Sequence, residues 1–132
     1  MTVEHLNPEG MHANPAFSQG IILPAGARTL LIGGQNGVDA EGRIVSKSDV
    51  GKQAEKALSN LKLVLDAAGG AIEDLVKVTI VIEQNADLSA AFGAWMAVWG
   101  NRHNPPTVKV LKVAGLADPD FLIEIEAQAV LK

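Results

Sequence analysis

The segment Leu122–Val130, LIEIEAQAV, restricts the fold of this chain more than any other. Leu122, Glu124, Glu126, Gln128 and Val130 fall on one side of an alternation. Phe121, Ile123, Ile125, Ala127, Ala129 and Leu131 fall on the other. Successive side chains of a β-strand point to opposite faces. The segment therefore reads as a strand with one apolar face and one face carrying two carboxylates and an amide. The run before it, Pro105–Val113, PPTVKVLKV, also reads as a strand. Two closing strands of this kind require a sheet, and the apolar face of that sheet requires a cover.

The rest of the chain supplies both. Thr2–Leu6, Ser18–Leu23 and Thr29–Ile32 read as short strands. The third runs into Gly33-Gly34-Gln35-Asn36-Gly37, where glycine lets the backbone bend or approach a ligand closely. Asp49–Ala68 has the spacing of an amphipathic helix, through Val50, Ala54, Ala57, Leu58, Leu61, Val64, Leu65 and Ala68. Ser48 is its expected N-cap and Gly69-Gly70 its stop. Leu75–Glu83 is rich in Val and Ile, as strands are. Asp87–Gly100 is a second helix whose buried stripe is Leu88, Ala91, Phe92, Trp95, Val98 and Trp99. The order β-β-β-α-β-α-β-β predicts an α+β fold with one mixed sheet and two helices, forming a single domain over residues 1–132.

Two helices of this size cover one face of such a sheet. Val108, Val110, Leu122 and Val130 look too apolar to leave the other face wet, which predicts an oligomer whose sheets meet. A length of 132 residues, 48% hydrophobic and 20% charged, fits one domain with a core of its own. The formal charge of −4 argues against a nucleic-acid partner. No apolar run is long enough to cross a membrane. The N-terminal segment has no basic stretch followed by an apolar one, so a cytoplasmic protein is expected.

Chemistry has few places to reside. The chain has no cysteine, which removes disulfides, thiol nucleophiles and thiolate metal sites. His5, His12 and His103 lack metal-ligand spacing, so neither a metal nor a cofactor is expected. Gly33-Gly34-Gln35-Asn36-Gly37 lacks the Lys-Ser/Thr tail of a phosphate loop and reads better as a bend. Ser18 reads as a backbone cap at a strand end. Glu124 and Glu126 are the sharpest polar signal, because a carboxylate shielded from water can position water and move protons. The competing reading pairs them across strands with Lys109 and Lys112.

Several segments, in order and spacing, resemble the Rid superfamily, the YjgF/YER057c/UK114 family. They are Asn14-Pro15-Ala16-Phe17-Ser18-Gln19-Gly20, Ile32-Gly33-Gly34-Gln35, the helix Gln53–Ala68 with its ending Ala67-Ala68-Gly69, Asp74-Leu75-Val76-Lys77-Val78-Thr79, and Ile123-Glu124-Ile125-Glu126-Ala127. The resemblance implies a chorismate-mutase-like homotrimer with helices outside and sheets lining a central β-barrel. It implies three clefts between subunits, where small enamines and imines are hydrolysed to ketoacids and ammonia. It assigns the water-positioning glutamate to Glu124. It places backbone contacts to the ligand at Gly34 and Val110, and pocket walls at Phe17 and Val108.

The departures from that family pattern concern substrate recognition. A tyrosine often precedes Ser-Gln-Gly in the family; here it is Phe17. A serine commonly precedes Gly-Gln; here it is Gly33. The family's arginine, which forks onto a substrate carboxylate, falls at Val108, or at Thr107 with a one-residue slip. Loss of a charged bidentate contact costs about 1.5–3 kcal/mol, or about 10–100-fold in binding. Arg102, in the loop before Pro105, is the one arginine near enough to be considered as a substitute. The expectation is an imine or enamine deaminase with altered substrate preference. The alternative is a ligand-binding or protein-interaction trimer without catalysis. A ribonuclease, an activity sometimes attached to the family, fits poorly with the acidic charge and the absence of a basic groove.

Overall fold

The computed structural model describes residues 2–132. The elements run β1 (Glu4–Leu6), β2 (Gly20–Ile22), β3 (Arg28–Gln35), α1 (Val50–Ala67), a 3-10 turn (Ile72–Asp74), β4 (Leu75–Glu83), α2 (Leu88–Trp99), β5 (Thr107–Val113) and β6 (Ile123–Leu131). The α+β class and the eight-element order match the reading of the sequence. The single sheet does not. β1 and β2 form a separate two-stranded antiparallel ribbon, and the main sheet has four strands in the order β3-β6-β4-β5. β6 is antiparallel to both its neighbours, whereas β4 and β5 are parallel and joined through α2.

Local chemistry sets the ends of both helices. Asp49, not Ser48, caps α1: its Oδ1 accepts from the Lys52 amide at 3.0 Å. A carboxylate at that position satisfies an orphan N–H and suits the positive helix end. At the other end the Gly70 amide donates to Leu65 O (2.9 Å) and the Gly69 amide to Asp66 O (3.1 Å). This closing pattern needs a left-handed residue, which Gly69 supplies at φ +75°. Asp87 caps α2 through the Ser89 amide at 2.9 Å. Beyond its C-terminus the Arg102 guanidinium donates to Val98 O (3.0 Å) and Trp99 O (2.8 Å).

The core lies between the helices and one face of the sheet. Val78, Ile80 and Ile82 of β4 and Ile123, Ile125 and Ala127 of β6 meet Leu58, Leu61 and Leu65 of α1 and Trp95 and Trp99 of α2. The two tryptophans stack at 5.8 Å. One polar side chain is sealed inside this core. Gln53, 0% exposed, donates from Nε2 to Ser46 O (2.6 Å) and Asp120 O (3.0 Å), and its Oε1 accepts from the Leu122 amide (2.9 Å). It ties α1 to the loops on either side of the sheet end. Gly37 packs against the same residue so closely that an added Cβ would lie 2.6 Å from the Gln53 Cα. Only glycine fits there.

The opposite face carries no helix. In register across it are Leu31–Gln128–Lys77–Thr107, Glu126–Thr79–Lys109 and Glu124–Val81–Leu111. The expected apolar set for this face is therefore corrected. Val108 and Val110 pair with Val78 and Ile80 and pack from the helix side. Leu122 also packs against the core, and Val130 is buried. The apolar side chains that do face outward include Leu31, 74% exposed, and Leu111, 44% exposed. The uncovered face is thus more polar than the sequence suggested, with charged residues at its centre.

The Arg102 hydrogen bond to Glu73 holds that carboxyl below the usual carboxylate range. A group whose folded pKa is depressed stabilises the fold above its unfolded value, and the contribution is lost as pH falls through the folded value. Both side chains are half-exposed, so the effect is small. The gap in urea midpoint between wild type and Glu73→Gln is expected to close as pH falls from about 6 to about 3. A gap that widened on acidification would contradict this pairing.

Candidate functional site

The five residues singled out in the sequence fall into two groups on opposite sides of the sheet. Glu124 and Gly34 form the first. β3 passes β6 with a register shift between Ile32 and Gln35, and this irregularity brings the Gly34 backbone under the Glu124 side chain. A Cβ at Gly34 would lie 2.5 Å from Glu124 Cδ and 2.6 Å from its Oε2. The carboxylate therefore rests on a surface that only a glycine leaves open. Contrary to the expected bend, Gly33 and Gly34 belong to β3 itself.

Phe17, Val108 and Val110 form the second group, at the other edge of the sheet. Ser18, 2% exposed, donates from Oγ to Pro105 O at 2.6 Å and from its amide to Pro106 O at 3.0 Å. These bonds hold the half-buried Phe17 beside the start of β5, with His12 edge-on at 6.0 Å. The Ser18 hydroxyl also bonds His5 Nδ1 at 2.8 Å. Because Oγ donates to Pro105, the imidazole is the donor in that pair. Burial pushes the His5 imidazole below its ordinary value. Ser18 thus serves the backbone, as its position at a strand end suggested. β5 is an edge strand with β4 as its one neighbour in the sheet, so the other side of its backbone is unpaired in the sheet.

Two proposed partners are ruled out by placement. Lys112 pairs with Ile82 and lies on the other face from Glu124 and Glu126. Lys109 shares their face, but Thr79 on β4 separates it from Glu126. Within the chain, Arg102 is held by Glu73, Val98 and Trp99. Thr107 is also committed, its Oγ1 donating to Val76 O at 3.2 Å.

Glu126 has a different setting from Glu124. It lines a hollow of about 240 Å³ together with Lys77, Thr79, Gln128, Leu31 and Gly33. Reading the sequence did not single out Lys77 and Thr79. The signal was present: in Leu75–Glu83 they alternate with Val78 and Ile80, which puts them on the face away from the core.

The family model for endoribonuclease L-PSP matches residues 9–131. This chain belongs to the Rid family. It is 34% identical over 116 residues to the 2-iminobutanoate/2-iminopropanoate deaminase of Salmonella typhimurium, which covers 86% of each chain. A Rid protein of unknown function from Yersinia pestis, YyfB, superposes with a TM-score of 0.87 at 34% identity. That match covers 99% of this chain and 100% of the other. TdcF of E. coli, solved with bound serine, superposes with a TM-score of 0.72 at 30% identity and 91% coverage of both chains. The whole-chain match places this Rid protein's helices and mixed sheet in the fold of its relatives.

Proposed function

We propose that this Rid protein hydrolyses imines or enamines lacking a carboxylate, in clefts formed between three copies of the chain. The observation that supports it is the seat of the Glu124 carboxylate on the Gly34 backbone. In imine hydrolysis, water oxygen bonds to the imine carbon and the nitrogen takes up a proton. The C–N bond then breaks, leaving a carbonyl and ammonia. A protonated imine is already electrophilic, so the protein must mainly place the water and move protons. Glu124 would accept a hydrogen bond from that water. The relatives named as deaminases support the reaction class.

In one chain Val108 and Val110 lie on the helix side of the sheet and Glu124 on the other. A cleft containing all five residues requires a neighbouring copy to bring its β5 edge alongside Glu124. Phe17 and Val108 would then make an apolar wall, with Val108 standing where the family pattern has an arginine. A second reading, a trimer that binds without catalysis, draws on the same absent charge.

The test is ammonia release from a panel of imines. Neutral imines are expected to turn over, with 2-iminopropanoate poor. Val108→Arg is expected to raise 2-iminopropanoate turnover by about 10–100-fold, the long side chain reaching past the edge strand. No hydrolysis of any imine, together with metabolite binding, selects the second reading. A monomer in sedimentation at micromolar concentration removes the shared cleft.

A further inference from the structure

A cleft of about 500 Å³ lies where the β1–β2 ribbon meets the end of the main sheet at which β4 begins and β6 finishes. That volume is within the range of small-molecule sites, about 300–1,000 Å³, which are mostly apolar with a few placed polar groups. Leu75, Val76 and Val130 form its buried floor, and Val3 and Ala27 its half-buried sides. His103 and Asn104 close it from the loop before β5. That loop is fixed at both ends. The Trp99 indole donates to Arg102 O at 2.9 Å, and the Ser18 hydroxyl donates to Pro105 O at 2.6 Å. Between these anchors Asn104 takes φ +57°, the one left-handed backbone outside glycine among the described residues, and one that asparagine accepts readily. The cleft is therefore formed before a ligand arrives, which lowers the cost of binding. None of Phe17, Gly34, Val108, Val110 and Glu124 lines it.

The polar groups around the cleft select the charge of its ligand. Glu73 accepts from Arg102, and Asp74 accepts from the Ala71 amide at 2.9 Å with Lys132 Nζ 3.6 Å away. Each of these carboxylates has its own cation, so neither sign of charge on a ligand is sought, and the apolar floor penalises both. His5 supplies a direction. Its Nδ1–H donates to the Ser18 hydroxyl at 2.8 Å, and burial keeps the ring neutral near pH 7. A neutral imidazole protonated on Nδ1 is an acceptor at Nε2, and the same ring lines the cleft. We propose that this cleft binds a neutral, largely apolar molecule, the size of one or two fused rings, that donates one hydrogen bond to His5. The site is distinct from the Glu124–Gly34 seat and does not rest on the deaminase reading.

The experiment titrates the isotope-labelled full chain with indole, a neutral fused-ring molecule with one N–H, following amide shifts. A Kd on the order of 1 mM is expected, with the shifts centred on Val3, His5, Val76 and Val130. 1-Methylindole keeps the ring without the donor and is expected to bind about threefold to tenfold more weakly. Indole-3-carboxylate adds a charge and is expected to bind at least about tenfold more weakly. Ala27→Trp, which fills the cleft from the β2–β3 turn, is expected to weaken indole binding at least about tenfold, with a melting temperature near that of wild type. If that variant does not fold, the 1-methylindole comparison on the unaltered chain still decides. Glu124→Gln is expected to bind indole as wild type does. Absence of saturation near 10 mM indole, about ten times the expected Kd, overturns the proposal. So does 1-methylindole or indole-3-carboxylate binding as tightly as indole. Shifts centred on Gly34 or Val108 would place the ring elsewhere, and also overturn it.

Discussion

Gln53→Leu is expected to lower the melting temperature by roughly 10–20 °C. The substitution keeps most of the side-chain volume, so the loss is not one of packing. It strands three partly buried backbone groups: the carbonyls of Ser46 and Asp120 and the amide of Leu122. Each unsatisfied buried group costs about 1–3 kcal/mol. Shared relaxation keeps the total below the simple sum, at about 3–5 kcal/mol. Thermal melts give the size of the loss. Hydrogen exchange gives its place, with the Leu122 amide opening first. A change of less than about 1 kcal/mol would mean that water replaces all three bonds.

The largest effect on activity is expected at Glu124. Glu124→Gln should lower kcat for the preferred imine by about 10²–10⁴-fold, the range for removal of a positioned proton acceptor. Gly34→Ala supplies an independent route to the same loss. Its methyl would occupy the space of the Glu124 carboxyl group. The displaced group is the free end of a flexible side chain, so the fold survives while the carboxylate moves. A displacement of about 1 Å in a positioning group costs about 100-fold. Melting temperatures close to wild type with activity down in both variants support the proposed seat. Full activity in Gly34→Ala would mean that Glu124 can act from elsewhere.

Much of this arrangement was legible in the residues. The stripe from Val50 to Leu65 located α1, and the alternation from Ile123 to Ala129 located β6 and its inward face. β5 was harder. In Val108-Lys109-Val110-Leu111-Lys112-Val113 the alternation is present, but either face of so short a strand could have been the inner one. The parallel register with β4, which sets Val108 against Val78, decides it. Gln53 was overlooked because a polar residue on an apolar stripe looks like surface. Its partners lie at Ser46 and beyond residue 119, and so become visible only after folding. The fit of Gly34 under Glu124 depends on the register shift in β3, which no local pattern announces. Ser48 and Asp49 are both good caps, and the geometry selects the carboxylate.

The position of β6 governs how the chain can be made. It lies between β3 and β4 in the sheet, yet it follows every other strand in the sequence. Arg28 pairs with Leu131, about a hundred residues away. During synthesis β3 has no neighbour in the main sheet until β6 emerges, while β4 can pair only with β5. Loop closure over such a separation slows folding. The apolar sides of β3 and β4 stay uncovered meanwhile, which exposes the nascent chain to aggregation. Completion of the main sheet therefore waits for β6, and a ribosome-bound chain halted before Ile123 is left with an open seam down the middle of its sheet.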